Sequence, residues 1–242
     1  MITKSVVKDI QSLAGKKYRD QAGLFLAEGP KLVKELLRDC SHSIKAIYAI
    51  ESWIQQNQIV NSSIQVTLVT PAELERLSQL TTPHEVLAVV SKFPISPLQI
   101  GKGLTLVCCG IQDPGNFGTI LRTADWFGVR QLVCSPDTVD VYNPKVVQAT
   151  MGSIARLAVH YMDLDPWLNE QEVPIYAAIL NGQSVYEINR SQSGILLIGN
   201  EAKGVPASLL TKKVTGITIP KIGEAESLNA AVATGILLSW LS

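Results

Sequence analysis

Apolar residues recur along this chain in short blocks whose spacing switches between helical and extended. Val6, Val7, Ile10 and Leu13 share one face of a helix predicted over 5–14. Gly15 reads as its stop, ahead of Lys16-Lys17-Tyr18-Arg19. Leu24-Phe25-Leu26-Ala27 reads as a strand, and Glu28-Gly29-Pro30 opens a helix through Leu37. Ile44, Ala46, Tyr48 and Ile50 alternate as a second strand, and residues 64–69 form a third. Thr70-Pro71 starts a helix through Leu80, and 86–90 is a fourth strand. This alternation predicts a compact α/β unit of about 90 residues.

Two prolines and two glycines then interrupt any regular element between 94 and 103, which reads as a linker. Beyond it, Leu104 to Cys109 is a continuous apolar run, suited to a parallel strand covered on both faces. Further strands are predicted at 131–134, 175–179, 194–198 and 216–219. Helices are predicted at 118–127, 144–151, 206–210 and 227–241. The expected organisation is a smaller N-terminal α/β domain (1–93), the linker (94–103) and a parallel-sheet α/β domain (104–242).

Composition narrows the class. With 46% hydrophobic and 17% charged residues in 242, the chain can bury a real core and is not disordered. No apolar run reaches the ~18 residues of a membrane helix, and Met1 to Lys8 lacks the apolar segment of a signal peptide. A cytoplasmic protein with no membrane partner is expected. Cys40, Cys108, Cys109 and Cys134 have no CxxC spacing, and His42, His84 and His160 are scattered, so no metal site is expected. Net charge is zero, but residues 1–45 hold nine basic against five acidic residues, an excess of +4. Such a patch can contact phosphates, although charge alone favours a merely solvated helix face.

Three motifs carry candidate chemistry. Asp113-Pro114-Gly115-Asn116-Phe117-Gly118-Thr119-Ile120-Leu121-Arg122-Thr123-Ala124 sits where a strand runs into a helix. Asn116 is a candidate N-cap or substrate contact. Arg122, one turn after Gly118, conflicts with the positive end of the predicted helix, and an anion such as an RNA phosphate would relieve that conflict. The segment is neither GxGxxG nor a P-loop. Gly199-Asn200-Glu201-Ala202-Lys203-Gly204 follows an apolar strand, and ligands of open α/β sheets bind beyond strand carboxyl ends. Standing alone, it reads as a surface loop with a solvated Glu. In the third, Ile219-Pro220 leads to Ser227-Leu228-Asn229-Ala230-Ala231. Capping of the last helix accounts for Ser227, but not for Asn229, a weak helix former among alanines.

Together the three resemble the SpoU (TrmH) family of SPOUT RNA methyltransferases. The family pattern Asn-x-Gly-x-x-x-Arg-Thr/Ser-Ala is matched by Asn116, Gly118, Arg122, Thr123 and Ala124. Gly-x-Glu-x-x-Gly is matched by Gly199, Glu201 and Gly204, and Ser-Leu-Asn by Ser227, Leu228 and Asn229. Ala231 stands where many members carry Ser. The N-terminal segment is more loosely similar to the family's substrate-binding domain, through Arg19, Phe25, Glu28-Gly29 and His84 to Val90.

The resemblance implies a C-terminal SPOUT domain with a trefoil knot, beside an N-terminal domain like ribosomal proteins that bind RNA kinks. It implies S-adenosylmethionine as cofactor, held at Leu180, Gly199, Gly204, Ile219 and Leu228. It implies ribose 2′-O-methylation without a metal, with catalytic residues Arg122, Asn116, Glu201, Asn229 and Ser227. Arg122 would stabilise the developing alkoxide, Asn116 and Asn229 would orient ribose or Arg122, and Glu201 would hold Arg122 or cofactor-loop groups. Lys16, Lys17, Arg19 and Lys31 become the candidate RNA-holding surface. A homodimer formed through the knot is implied, and the extra domain favours rRNA over tRNA. The competing readings are an inactive RNA- or ribosome-binding module, a base methyltransferase, and a Rossmann-type enzyme, whose dinucleotide fingerprint is missing.

Overall fold

The computed structural model describes residues 2–57, 59, 63–190 and 193–242. In chain order the elements begin with α1 (Lys4–Ser12), α2 (Lys16–Ala22), β1 (Leu24–Glu28), α3 (Pro30–Cys40), β2 (Ile44–Ala49), α4 (Glu51–Gln56), β3 (Gln65–Leu68), α5 (Pro71–Leu77) and β4 (Val86–Ser91). They continue with β5 (Leu104–Cys109), α6 (Pro114–Trp126), β6 (Gln131–Cys134), α7 (Pro144–Thr150), β7 (Ala158–Tyr161), α8 (Leu164–Asn169), β8 (Ile175–Ser184), β9 (Gly194–Gly199), β10 (Val214–Thr218) and α9 (Ala230–Leu241). The α/β expectation holds in both halves of the chain.

Two compact units form. One comprises 1–94 and 140–155, the other 95–139 and 156–242. The chain therefore passes between them three times. The segment 140–155, which sequence pattern assigns to the C-terminal domain, builds part of the first unit. Residues 95–103 contain no helix or strand. Leu98 and Ile100 nonetheless pack on the core of the second unit, and Gln99 exchanges hydrogen bonds with Gln131.

The first unit has a four-stranded sheet in the order β1-β4-β2-β3, antiparallel except for β2–β3. Val7, Ile10 and Leu13 of the α1 segment and Leu74 and Leu77 of α5 cover one face, against Leu26, Tyr48, Leu87 and Val89. Phe25 is fully buried, with Phe93 and Tyr142 around it at ring-centroid distances of 5.6 and 4.9 Å. Full burial of such a side chain contributes roughly 1.5–3 kcal/mol, so Tyr142 ties the inserted segment to the sheet through apolar contact.

Gly15 does more than end a helix. It is the N-cap of α2, a helix that sequence pattern leaves out, and Gly23 closes that helix at φ 65°. The turn brings Arg19 beneath α1. Its Nη1 donates to the carbonyls of Leu13 and Ala14 at 2.9 and 2.6 Å, and its Nη2 meets Asp140 at 2.6 Å. The guanidinium thus satisfies open carbonyls at the negative end of α1. With its side chain only 3% exposed, Arg19 cannot offer that guanidinium to RNA, which corrects its assignment to the RNA-holding surface.

The second unit has a six-stranded sheet in the order β10-β8-β9-β5-β6-β7, parallel throughout. Short β7 and α8 are absent from the sequence-based expectation, and 206–210 is only a 3₁₀ turn at Ala207–Leu209. Val107, Cys109, Val133, Ile195 and Leu197 face α8 and that turn, through Leu164, Leu168 and Leu209. Helices α6 and α9 pack against each other, and α9 reaches β9. Because the strands run in one direction, all their carboxyl ends lie on one edge of the sheet, where the three motifs emerge.

Arg19→Ala is expected to lower the unfolding free energy by about 3–5 kcal/mol, since Asp140 loses its cation in a buried setting. Urea unfolding followed by circular dichroism measures this. Near-normal stability combined with lost RNA affinity would return Arg19 to the RNA-contact role.

Candidate active site

At the end of β5, Asp113 caps α6, its Oδ1 accepting the N–H of Asn116 at 2.7 Å. Asn116 is therefore the third residue of the helix and not its cap, so its amide is free to reach outward. Nδ2 donates to Oε1 of Glu201 at 2.6 Å, and Oδ1 accepts from Nδ2 of Asn229 at 2.8 Å. Oδ1 of Asn229 in turn accepts the N–H groups of Ala231 and Val232 and caps α9. One side chain from each motif thus enters a single polarised chain. Its direction fixes both amide orientations, because a carboxylate only accepts and Asn229 Oδ1 already faces two donors.

This arrangement corrects two expectations. Asn229, not Ser227, caps the last helix, which begins at Ala230, and residues 221–229 are all exposed. Ser227 makes no hydrogen bond among the described residues and lies outside the network. Of the two partners expected for Glu201, Arg122 or cofactor-loop groups, Arg122 is not met, and Glu201 accepts instead from Asn116.

Helix α6 starts at Pro114, so Arg122 lies in mid-helix, past the first turn where the dipole acts. The dipole conflict is therefore not a reason to place an anion there. Arg122 is instead exposed and has no protein acceptor among the described residues. Its five N–H donors remain available to a substrate.

The residues carried over for the cofactor lie on three neighbouring strands and in the segments that follow them: Leu180 within β8, Gly199 and Gly204 at and beyond the end of β9, Ile219 and Leu228 beyond β10. β8 pairs with β10 through Ala177, then slips and resumes at Gln183, so Leu180 lies in a bulge. Leu180 is 69% exposed, and its carbonyl accepts from the Thr218 hydroxyl at 3.0 Å. A Cβ on Gly182 would come within 2.6 Å of the Gly216 backbone, so only glycine permits this crossing. The 199–204 loop closes through Gly204 N–H to Asn200 carbonyl at 2.8 Å. A Cβ on Gly199 would stand 2.1 Å from the Gly204 carbonyl carbon, a close approach that likewise requires glycine. Ile219 follows β10 half-buried, and Leu228, just ahead of α9, is 47% exposed.

A cleft of about 160 Å³ opens beside β5, β6 and β9, bordered by Gly110, Ser135, Asp137 and, from the 199–204 loop, Asn200, Lys203 and Gly204. It shares only Gly204 with the cofactor residues and is smaller than the ~300 Å³ typical of small-molecule sites.

Of the RNA candidates, Lys16 is engaged by Asp20 at 2.7 Å, and Lys92 meets the same carboxylate at 2.5 Å. The Lys16 hydrogen bond, then that of Lys92, holds Asp20 down to about 2. Lys17 and Lys31 are exposed and have no protein partner among the described residues. Sequence reasoning missed Asn200, whose Oδ1 accepts the N–H groups of Ala202 and Lys203 at 2.9 and 3.2 Å. An Asn opening a glycine-closed loop is the signal that could have found it.

Comparison with known proteins decides the family. Residues 103–239, which contain all three motifs, match the SpoU rRNA Methylase family. The chain belongs to the SpoU rRNA methylase family. Residues 4–88 match the MRM3-like substrate binding domain. A relative named 23S rRNA (guanosine(2553)-2′-O)-methyltransferase RlmP, from Bacillus subtilis, is 34% identical over 97% of this chain and 95% of its own. A TrmH-family structure from Porphyromonas gingivalis is similar at TM-score 0.87 and 36% identity, covering 100% of this chain and 98% of that one. An AdoMet-bound rRNA methyltransferase from Sinorhizobium meliloti is similar at TM-score 0.84 and 31% identity, covering 100% and 95%. In this SpoU chain the Asn of the first motif bonds the Glu of the second and the Asn of the third.

Asn116→Asp is expected to reduce methyl transfer by about a hundredfold, because it turns the donor facing Glu201 into a second carboxylate. Adding Glu201→Gln restores a donor and should recover part of the loss. Tritium transfer to RNA measures both variants, and equal loss in the single and double variants would show that the bond is not needed.

Proposed function

We propose that this SpoU chain transfers the methyl group of S-adenosylmethionine to a ribose 2′-hydroxyl of structured ribosomal RNA. The observation that carries the reading is the hydrogen-bonded convergence of Glu201, Asn116 and Asn229 at the strand ends, with Arg122, which has no protein acceptor among the described residues, on the same helix as Asn116. A full-length likeness to an enzyme named as a 23S rRNA 2′-O-methyltransferase supports the same chemistry and favours rRNA over tRNA.

The cofactor fits the residues present. Leu180 and Leu228 offer exposed apolar side chains, Gly199 lets the loop close tightly on itself, and Gly204 leaves backbone open to a ligand that approaches closely. When bound, S-adenosylmethionine supplies a methyl group on a cationic sulfur, so that one O–C bond forms as one S–C bond breaks. The protein's task is then the hydroxyl. A guanidinium presents five N–H donors and no acceptor, so Arg122 stabilises the developing alkoxide rather than taking its proton. An RNA phosphate beside Arg122 can accept that proton. Asn116, held between Glu201 and Asn229, keeps the first turn of α6 in fixed relation to the two other loops. Lys17 and Lys31 contact RNA phosphates without sequence preference.

The proposal includes the family's trefoil knot around β8, β9 and β10, and a homodimer through the knotted unit. Exposure of Trp126 (84%), Val232 (51%) and Ile222 (101%) on and near α6 and α9 supports self-association. Sedimentation at twice 26.2 kDa is the expected result. No helix among the described residues is long and apolar enough to cross a membrane, and a cytoplasmic site of action is part of the proposal. The rival reading, an inactive RNA-binding module, is disfavoured because the network and Arg122 are intact.

Arg122→Ala is expected to lower single-turnover methyl transfer by about a hundredfold or more while calorimetric S-adenosylmethionine binding stays normal. Ribose-methylation mapping of total RNA from a deletion strain should show one lost 2′-O-methyl in rRNA. Undiminished turnover in the variant, or an unchanged map, would overturn the proposal.

A further inference from the structure

We infer that Asn200 is a positioning residue for methyl transfer, fastening the Glu201 loop to the end of β5 so that cofactor loop and first motif share one register. The inference rests on the reading that the 199–204 loop holds the cofactor.

Asn200 uses both ends of its amide. Oδ1 accepts Ala202 N–H at 2.9 Å and Lys203 N–H at 3.2 Å, folding the loop around itself. Nδ2 donates across to the carbonyl of Gly110 at 2.8 Å, one residue beyond β5. Gly110 is anchored in turn, its N–H donating to Ser135 Oγ at 2.8 Å. Ser135 also bonds Asp137 and Thr138, and Thr138 reaches back to the Cys108 carbonyl at 3.1 Å. Gly110 therefore belongs to a fixed frame, and Asn200 is the side chain that joins the loop to it.

The geometry gives this bond consequence. Three residues past Gly110 stands Asp113, the cap that sets where Asn116 points. One residue past Asn200 stands Glu201, which must reach Asn116 at 2.6 Å. β5 and β9 are paired in register up to Cys109 and Gly199, and regular pairing ends there. Beyond the sheet, Asn200 replaces the missing ladder with a side-chain bond. No other residue type of similar length both donates and accepts in this way. Asp accepts but cannot donate while ionised, and a hydroxyl is shorter.

The test uses the full chain with purified rRNA and S-adenosylmethionine, comparing Asn200→Ala, Asn200→Asp and Gly199→Ala with the wild type. Asn200→Ala should weaken S-adenosylmethionine binding by about tenfold to a hundredfold, with RNA affinity and melting temperature little changed. Asn200→Asp keeps the turn but loses the donor to Gly110, so it should be similarly impaired at pH 7. Relative to the wild type it should recover as pH falls through about 4, the ordinary aspartate range, where a protonated carboxyl donates again. Normal cofactor affinity in Asn200→Asp at pH 7, or impairment with no recovery at low pH, would reject the bond to Gly110 as the operative contact. Normal affinity in Asn200→Ala while Gly199→Ala loses binding would overturn the inference. Normal affinity in both would instead overturn the reading that this loop holds the cofactor.

Discussion

Asn116 can donate to Glu201 and accept from Asn229 only if three loops, separated by 85 and 113 residues of chain, end at one place. The rest of the second unit serves that requirement. An all-parallel sheet delivers every strand's carboxyl end to one edge, and the order β10-β8-β9-β5 makes the loop-bearing strands neighbours. Caps then aim the side chains. Asp113 takes the first helix's open N–H, which releases Asn116, and Asn229 takes two N–H groups while still donating sideways. The amides convey orientation without net charge, Glu201 accepts from Asn116, and Arg122 has no protein acceptor among the described residues. A site for a cationic cofactor and a polyanionic substrate gains from that economy, because each fixed charge acts on the ligands unpaired by a neighbour.

How much of this was legible in the sequence depends on range. The apolar runs at 104–109, 131–134 and 194–198 specified buried strands, since continuous hydrophobicity has few other uses at that length. The motifs specified which residues matter. Capping was harder. Ser227 and Asn229 are both good caps, and only the bond from Asn116 and the exposure of 221–229 separate them. The start of α6 was misplaced because Pro114-Gly115 reads as a turn, although Pro suits a first helical turn once Asp113 caps it. That shift moved Arg122 from a helix end to a helix middle and changed its electrostatic meaning.

Arg19 shows a different limit. Its neighbours Lys16 and Lys17 are exposed, and composition cannot tell a lysine at the surface from an arginine folded under a helix end. Its partner Asp140 lies 121 residues away, in a stretch whose pattern belongs to the other unit. Long-range pairing of this kind leaves no periodic trace. Asn200, too, is legible only locally: the turn is foreseeable, but not the carbonyl across the sheet edge.

The insertion of 140–155 into the first unit bears on how the chain folds during synthesis. When residues 1–94 have left the ribosome, Arg19 still lacks its counter-ion and Phe25 lacks the Tyr142 ring. Completion waits until β5, α6 and β6 of the second unit have also been made. By then those apolar strands are already seeking partners, although β9, which flanks β5, is not yet translated. The first unit therefore cannot be completed before part of the second has been made. Recombination that exchanges only the N-terminal segment would bring a sheet without its closing piece, which favours inheritance of the whole chain as one block.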